Sequence, residues 1–174
     1  MNLNKDNTLI AFYSRRGNNY SGGRIVDLEI GNTEVIANYI KEITNADIFE
    51  INTVQIYPDD YYATTSQAQE ELNNNFRPAL SKYLDDIGKY DNIFLGFPNW
   101  WSTMPMAVFT FLEKYDFTDK NIIPFCTHGG GGFGNSLIDI KKIIPKCNLL
   151  NGFHINGSDV NESMEEVNNW IGNL

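Results

Sequence analysis

The segment between Thr8 and Thr33 constrains the possible fold more than any other stretch of this sequence. It begins with the apolar run LIAFY, residues 9–13, which is typical of a buried strand. A polar, glycine-bearing segment follows, and a helical pattern begins at GNT, residues 31–33. The first turn of a helix carries unpaired N–H groups and the positive end of the helix dipole. A strand, a polar loop and a helix start in this order therefore predict an anion-binding site.

Apolar runs alternate with helical patterns along the rest of the chain. This alternation is typical of a parallel, doubly wound sheet, because right-handed crossovers place helices on both of its faces. The predicted strands are 8–13, 47–51, 93–97, 121–126 and 148–155. The first predicted helix is capped by Asn32 or Thr33. A turn and helix start at 57–62 precede a helical region around 66–75, and the other helices lie around 78–86, 106–114, 136–144 (with Ser136 as its cap) and 162–171.

Three unusual loops follow the first, third and fourth predicted strands. Because the carboxyl ends of parallel strands lie at one edge of the sheet, these loops are expected to meet there, where such sheets bind ligands. The polar connection 57–77 is expected to cover one side of the same site. This convergence supports a ligand site more strongly than any single motif does.

The first loop has the groups that a phosphate monoester requires. Ser14 offers a hydroxyl at the strand end, and Asn32 and Thr33 add an amide, a hydroxyl and the helix N–H groups. Arg15 and Arg16 add positive charge to an otherwise acidic chain. A phosphate dianion needs several donors and a local positive potential. The alternative is a capped helix that follows an irregular loop and binds no ligand.

The second loop carries two adjacent tryptophans in a polar setting. Trp100 and Trp101 lie between two prolines, together with Asn99, Ser102 and Thr103. Neighbouring side chains of an irregular loop generally do not both face the core, so one tryptophan is expected to stack on a flat aromatic ligand. The alternative places one tryptophan in the core and the other at a protein interface.

The third loop, 127–134, contains five glycines, so its backbone can approach a ligand closely. Its G-x-G-x-x-G spacing fits a dinucleotide fingerprint, but that fingerprint belongs at the first strand of its unit and only one strand remains here. A mobile glycine turn without a ligand is the alternative. Cys126 and His128 have no carboxylate nearby in sequence, so a core thiol beside a loop imidazole is expected rather than a nucleophile pair.

Composition and charge disfavour several classes of function. The formal net charge of -9 argues against nucleic acid or an anionic membrane as partner. Two cysteines do not make a disulfide framework, so reduced thiols are expected. No run is long and apolar enough for a signal core or a membrane span. Asp59 and Asp60 lack further spaced ligands for a metal. We therefore expect one cytoplasmic domain, residues 1–174, without a metal site.

With the three loops in place, the sequence resembles the flavodoxin family, in particular short members with an expanded phosphate loop. The resemblance covers nearly the whole chain and rests on YSRRGNNY (13–20), GNT (31–33), LGFPNWWSTMP (95–105) and PFCTHGGGGFGNS (124–136). It implies an α/β fold with a five-stranded parallel sheet in the order 2-1-3-4-5, and non-covalent FMN held by the three loops. The residues that it implies are Ser14, Arg16, Asn32 and Thr33 for the phosphate, Pro98, Asn99, Trp100, Trp101 and Ser102 near the ring, and Thr127, His128, Gly129 and Gly130 at the other ring edge.

The resemblance implies an electron carrier that shuttles reducing equivalents through FMN without a catalytic side chain. Its acidic surface suggests redox partner proteins with basic docking surfaces. His128 stands where the family more often has a small hydroxyl residue, and Asn99 where an apolar residue is usual. An FMN-dependent NAD(P)H reductase of quinones, nitro or azo compounds is one alternative, and a flavin-free binding module is the other. Whether the chain is a monomer or a dimer stays open.

Sixteen residues, 15–30, separate Ser14 from Gly31, where an ordinary flavodoxin has a compact serine/threonine–glycine run. Tyr20, the Gly22-Gly23 pair, Val26 and Leu28 indicate a small hairpin laid over the site.

Overall fold

The computed structural model describes the whole chain, residues 1–174. The strands are β1 (Thr8–Phe12), β2 (Gly17–Ser21), β3 (Arg24–Leu28), β4 (Asp47–Glu50), β5 (Asn92–Pro98), β6 (Asn121–His128), β7 (Asn148–Leu149) and β8 (Phe153–Asn156). The helices are α1 (Asn32–Thr44), α2 (Tyr61–Asn73), α3 (Met106–Lys114), α4 (Ser136–Ile143) and α5 (Met164–Gly172), with a short 3-10 turn at Val160–Glu162. None of these helices is long and apolar enough to cross a membrane.

The main sheet is parallel and has the order β4-β1-β5-β6-β7, with β8 also paired to β6. In terms of the five predicted strands this order is 2-1-3-4-5, so the predicted architecture is confirmed. The fifth predicted strand consists of two segments, β7 and β8. Between them the chain passes so close to β6 that a Cβ on Gly152 would lie 2.6 Å from the carbonyl oxygen of Pro124.

Helices cover both faces of the sheet, and the alternation of side chains along each strand assigns its residues to two cores. In β1, Leu9 and Ala11 belong to the core beneath α3 and α4, whereas Ile10 and Phe12 belong to the core beneath α1 and α5. Every residue of β1 is buried. A strand buried on both faces reads as a continuous apolar run, which is why β1 and β5 were recognisable in the sequence.

The predicted helix 78–86 is wrong, because this segment is irregular. Leu80 pairs with Thr53 beyond the end of β4, and the Ser81 N–H donates to the Asn52 carbonyl over 2.8 Å. Leu80 and Ile87 are buried in the core beneath α3. Burial of these two side chains and the added backbone pairing outweigh the local helical tendency of the segment.

Of two other helix starts, one agrees with the prediction and one differs. The helical region predicted around 66–75 belongs to α2, which begins at Tyr61, within the predicted helix start 57–62; the Asp60 carboxylate caps it by accepting the Ala63 N–H over 2.7 Å. Ser136 is the first residue of α4 and not its cap, since Asn135 holds the cap position. The Ser136 hydroxyl is buried without a hydrogen-bond partner.

The hairpin predicted within 15–30 is confirmed. β2 and β3 pair antiparallel, and Gly22 and Gly23 form the two-residue turn with φ of 59° and 84°. A turn of this kind needs positive φ at both central residues, which glycine adopts without strain. The hairpin packs against α2, where the rings of Tyr20 and Tyr61 stack with centroids 6.3 Å apart. It therefore lies over the edge of the sheet at which β1 ends.

Candidate functional site

The three unusual loops meet at the carboxyl ends of β1, β5 and β6 and enclose a cleft of about 490 Å³, which we call the main cleft. The hairpin strand β2 and the helix α2 form its remaining walls. The predicted site residues in its lining are Ser14, Asn32, Thr33, Pro98, Asn99, Trp100, Trp101, Ser102, Thr127, His128 and Gly129. Arg16 and Gly130 are the predicted residues that do not line it.

The N-terminus of α1 presents free donors to the main cleft. The Ser14 Oγ accepts the backbone N–H of Glu34 over 3.1 Å, which leaves the Ser14 hydroxyl proton free to donate. No protein group accepts the backbone N–H of Asn32 or of Thr33. These N–H groups lie at the positive end of the helix dipole, so an anion in the main cleft would satisfy them.

The cap of α1 differs from the prediction, because Gly31 holds the cap position instead of Asn32 or Thr33. Gly31 has no side chain to accept a hydrogen bond, and Ser14 supplies the missing oxygen from the end of β1. A Cβ on Gly31 would clash with the Ser14 hydroxyl and lie 2.6 Å from the Arg15 carbonyl oxygen. Glycine at this position thus lets the two ends of the expanded loop come together.

The two arginines of the expanded loop point to different places. The Arg16 guanidinium donates to both carboxylate oxygens of Glu34, over 2.9 and 2.8 Å, and this hydrogen bonding raises its pKa. The prediction that Arg16 faces the phosphate site is therefore corrected: the first turn of α1 holds it in an ion pair. Arg15 lines the main cleft instead, and burial lowers its pKa.

Arg15 also connects the expanded loop to α2. Its Nη2 donates to the carbonyl oxygens of Pro58 and Asp59, each over 2.8 Å, and to the Thr64 hydroxyl over 3.2 Å. Its Nη1 is buried without a partner. Since Arg15 is the one charged residue in the lining of the main cleft, this cleft holds a cation and no carboxylate within a chain of net charge -9.

A second depression of about 520 Å³, which we call the side cleft, lies on the other side of Ser14 and Arg15. Three carboxylates line it, from Asp27, Glu50 and Asp59. Because these acidic groups outnumber the arginines available to them, the side cleft is a poor place for an anion.

The second loop forms a tight turn at the mouth of the main cleft. Trp100 and Thr103 exchange two backbone hydrogen bonds, of 2.8 and 3.1 Å, and the residues between them, Trp101 and Ser102, have φ of 52° and 64°. Positive φ is unusual for a bulky residue and has to be held by its surroundings. The Ser102 carbonyl accepts the N–H of Asn135 over 2.7 Å, so the second and third loops support each other.

The two tryptophans have different environments, as expected for neighbours in a loop. The Trp100 ring packs edge to face against Tyr13 and Tyr57, with both centroids 5.3 Å away. Trp101 is 47% exposed, and its Nε1–H donates to the Thr65 carbonyl of α2 over 2.8 Å. Both rings line the main cleft, Trp100 from the core side and Trp101 at the mouth.

The third loop is fixed to the other two by hydrogen bonds. The Thr127 and Thr33 hydroxyls are 2.8 Å apart, and the Asn99 Nδ2 donates to the Gly132 carbonyl over 2.7 Å. The Gly130 N–H donates to the His128 Nδ1 over 2.9 Å, and Gly130 does not line the main cleft. Cys126 is buried, so the expected core thiol is confirmed, and burial raises the pKa of this thiol to about 12.

The sequence of the chain matches a known protein family. A model of the flavodoxin family matches residues 28–174. The chain belongs to the flavodoxin family. The matched range begins after Asp27, so most of the hairpin precedes the part that this flavodoxin shares with the family model. Among curated protein sequences, none is significantly similar to this chain.

Solved structures share the flavodoxin fold over nearly the full length. A candidate flavoprotein from Bacteroides uniformis ATCC 8492 is 28% identical, with a TM-score of 0.76 over 97% of this chain and 99% of that one. Another, from Bacteroides eggerthii DSM 20697, is 26% identical, with a TM-score of 0.71 over 92% and 97%. A flavoprotein from Lactobacillus acidophilus NCFM, crystallised in complex with FMN, is 21% identical, with a TM-score of 0.63 over 90% and 97%.

Residue-level reasoning from the sequence missed several walls of the flavodoxin cleft. Arg15 was suggested as a source of positive charge and Tyr20 as part of the covering hairpin, but neither was assigned to the cofactor site. The other lining residues outside the predicted set are Asn19, Tyr61, Tyr62, Thr64, Thr65, Ala68 and Gly131. Most lie in two segments, the hairpin and the 57–77 connection, which the sequence did assign to the neighbourhood of the site. The tyrosines were the available signal, because aromatic residues grouped at a polar helix start are typical of a ligand wall.

Proposed function

We propose that this flavodoxin binds FMN non-covalently in the main cleft and carries electrons between partner proteins. The observation that supports this best is the presence of an anion end and aromatic walls within one cleft. Ser14, Asn32 and Thr33 form the anion end, and Trp100 and Trp101 belong to the aromatic part. A flat ring that carries a phosphate matches both features of the cleft.

The groups at the anion end fit a phosphate monoester. The free N–H groups of Asn32 and Thr33 and the Ser14 hydroxyl are neutral donors, and Arg15 adds a cation whose Nη1 has no protein partner. The Thr33 and Thr127 hydroxyls bond to each other, so one of their two protons is left to donate to a ligand. Phosphate oxygens accept several such bonds at once, and charge-assisted ones are the strongest.

The aromatic end fits the flavin ring. Trp101 and Tyr62 are 47% and 67% exposed at the mouth of the main cleft, while Trp100 is held from behind by the core. Gly129 and Gly131 lie opposite and allow the backbone to approach a flat ligand. The same fold holds FMN in the flavoprotein from Lactobacillus acidophilus, which supports the choice of cofactor.

FMN, when bound, supplies one-electron and two-electron redox chemistry at its ring. The residues of the chain bind the phosphate, orient the ring and keep carboxylates away from it. The exposed rings of Trp101 and Tyr62 offer a contact surface next to the cofactor, and the net charge of -9 attracts a partner with a basic docking surface.

Titration with FMN, followed by flavin fluorescence, tests the proposal. We expect saturation at about one FMN per chain with a Kd in the micromolar range or below. Gly31→Ala forces a Cβ into Ser14 and Arg15 and should weaken binding by about 50-fold or more. Gly172→Ala is the matched control, since its Cβ meets nothing within 4 Å. No binding by the unmodified protein would overturn the proposal and leave the flavin-free module.

An FMN-dependent reductase of quinones, nitro or azo compounds is the second candidate. The observation that favours it is the stacked pair of Tyr20 and Tyr61, which extends the aromatic wall toward Gly129. Such a wall can hold a flat organic substrate. Rapid NAD(P)H oxidation by the FMN-loaded protein with a quinone would support the reductase, whereas slow oxidation without an added reductase would support the electron carrier.

A further inference from the structure

The two histidines of the chain are hydrogen-bonded to each other beside the main cleft. The His128 Nε2 and the His154 Nδ1 are 3.1 Å apart, and the Gly130 N–H donates to the His128 Nδ1 over 2.9 Å. His128 ends β6 and lines the cleft, while His154 is exposed on β8. The pair therefore connects the glycine loop of the cleft to the neighbouring strand.

These contacts determine where the imidazole protons are. The His128 Nδ1 accepts from Gly130, so in the neutral ring the proton is on Nε2, and that N–H donates to the His154 Nδ1. Both nitrogens that could take an extra proton are already acceptors. A proton on the His128 Nδ1 removes the Gly130 bond. A proton on the His154 Nδ1 points at the His128 Nε2–H, so the hydrogen bond between the two rings breaks. That bond can form again only if the His128 proton moves from Nε2 to Nδ1, and the Gly130 bond is then lost as well.

We infer that His128 and His154 form a positioning pair that holds the glycine loop of the main cleft when both imidazoles are neutral and releases it when the pair takes up one proton. Gly130, at φ 124°, loses the hydrogen bond that keeps it in place, and Gly129 and Gly131 on either side line the cleft. FMN affinity should therefore fall in mild acid. This last consequence rests on the proposed function, whereas the release of Gly130 does not.

The surroundings of His128 favour its neutral form. Burial lowers the pKa of His128 and His154 lowers it further, while the Asn156 side chain opposes them; no carboxylate contributes. Phe133 packs on the His154 ring with centroids 5.4 Å apart. Across the cleft the titratable groups are tyrosines and Arg15, and phenol and guanidinium groups do not change charge in mild acid.

The sign of the effect on stability follows from the lowered pKa. The unfolded chain binds a proton at His128 more readily than the folded chain does, so folding stability falls as the pH decreases below about 6.5. Above that pH both states are neutral at His128, and its contribution does not change.

Three variants separate the parts of this inference. In His128→Asn the side-chain oxygen can accept the N–H two residues ahead, as asparagine does in turns, and it does not titrate. His128→Ala provides no acceptor. His154→Ala leaves the Gly130 bond but removes the partner ring, so the pKa of His128 should rise.

NMR of the flavin-free protein tests the release of the loop. We expect the chemical shift of the Gly130 amide to change with pH. The midpoint of this change should equal the midpoint at which the His128 imidazole nitrogens titrate. The midpoint should move to higher pH in His154→Ala, and the movement should vanish in His128→Asn. A Gly130 amide that stays unchanged while His128 titrates would overturn the inference.

FMN titrations at several pH values test the consequence for binding. The phosphate of FMN itself titrates near pH 6, so the quantity to compare is the ratio of the Kd of the unmodified protein to that of His128→Asn. This ratio should rise roughly two- to fivefold between about pH 8 and about pH 5.5, as one-proton linkage requires. The ratio of the FMN Kd of His128→Ala to that of His128→Asn should stay constant over the same pH range, because neither side chain titrates.

The possible outcomes distinguish this inference from the proposed function. A flat ratio for the unmodified protein, with FMN bound throughout, would overturn the coupling between the histidine pair and the cleft. Absence of FMN binding at every pH would overturn the proposed function, and the NMR experiment would still decide whether protonation of the pair releases Gly130.

Discussion

The main cleft and the side cleft are similar in volume, about 490 and about 520 Å³, yet their linings have opposite character. They share Ser14 and Arg15, which stand between them. The side cleft has carboxylates from Asp27, Glu50 and Asp59, whereas the main cleft has none and receives the N-terminus of α1. Cavity size therefore does not distinguish the two clefts; the orientation of donors and charges does.

The difference depends on two adjacent arginines that point in different directions. Arg15 lines both clefts and forms no ion pair with a carboxylate, whereas Arg16, in the lining of the side cleft, is bound by Glu34. The charge of Arg15 is thus not offset by a carboxylate, and that of Arg16 is already neutralised.

Adding one carboxylate to each cleft gives the largest expected contrast. Asn32→Asp places a negative charge in the main cleft, beside the proposed phosphate, and should weaken FMN binding by about 100-fold or more because close like charges cost several kcal/mol. The same residue lies in the first turn of α1, so the flavin-free protein should become more stable, by about 0.3–1 kcal/mol. FMN titration and thermal unfolding measure the two effects.

Asn52→Asp is the matched control, since it adds the same charge to the side cleft. It should leave the FMN Kd within about twofold. Equal losses of affinity in the two variants would contradict the assignment of the anion site to the main cleft.

The two arginines provide the next contrast. Arg15→Gln removes the cation of the main cleft and should weaken FMN binding by about tenfold, the range of a hydrogen bond to a charged group. Arg16→Gln should change the FMN Kd by less than about twofold and the free energy of unfolding by at most about 1 kcal/mol, as expected for a largely exposed ion pair. A greater loss of FMN affinity for Arg16→Gln than for Arg15→Gln would support the sequence-based prediction that Arg16 contacts the phosphate.

Exposed apolar residues at the two clefts give the smallest contrast. Trp101→Ala removes an aromatic surface from the mouth of the main cleft and should weaken FMN binding about two- to tenfold. Ile56 is 86% exposed and lines the side cleft, so Ile56→Ala should have no effect on the FMN Kd. Equal affinities for the two variants would mean that Trp101 does not contact the ring.

The doubly wound parallel sheet could be predicted from the sequence, because β1 and β5 are buried on both faces and appear as uninterrupted apolar runs. The strand order was implied by the resemblance to the flavodoxin family and not by these runs. The failure at 78–86 has a tertiary cause: Leu80 is buried and pairs with Thr53, a partner that local pattern cannot reveal. Residues 79–81 thus extend the pairing beyond β4 where a helix was expected.

The candidate site was predictable at the level of loops and less so at the level of side chains. That three loops meet follows from parallel strands alone. Whether Arg15 or Arg16 faces the main cleft depends on the competing Glu34 carboxylate. That Gly31 holds the cap position of α1 while Ser14 accepts the Glu34 N–H depends on a contact across the hairpin insertion. Contacts of this kind are set by the folded backbone, so a linear pattern does not contain them.

The most direct test of this account compares the affinities of the unmodified protein for FMN and for riboflavin, which lacks the phosphate. If the N-terminus of α1, Ser14 and Arg15 hold the phosphate, FMN should bind about 100-fold or more tightly than riboflavin, which corresponds to about 2.8 kcal/mol. Equal affinities for the two flavins would contradict the central claim that the main cleft is a phosphate site joined to an aromatic one.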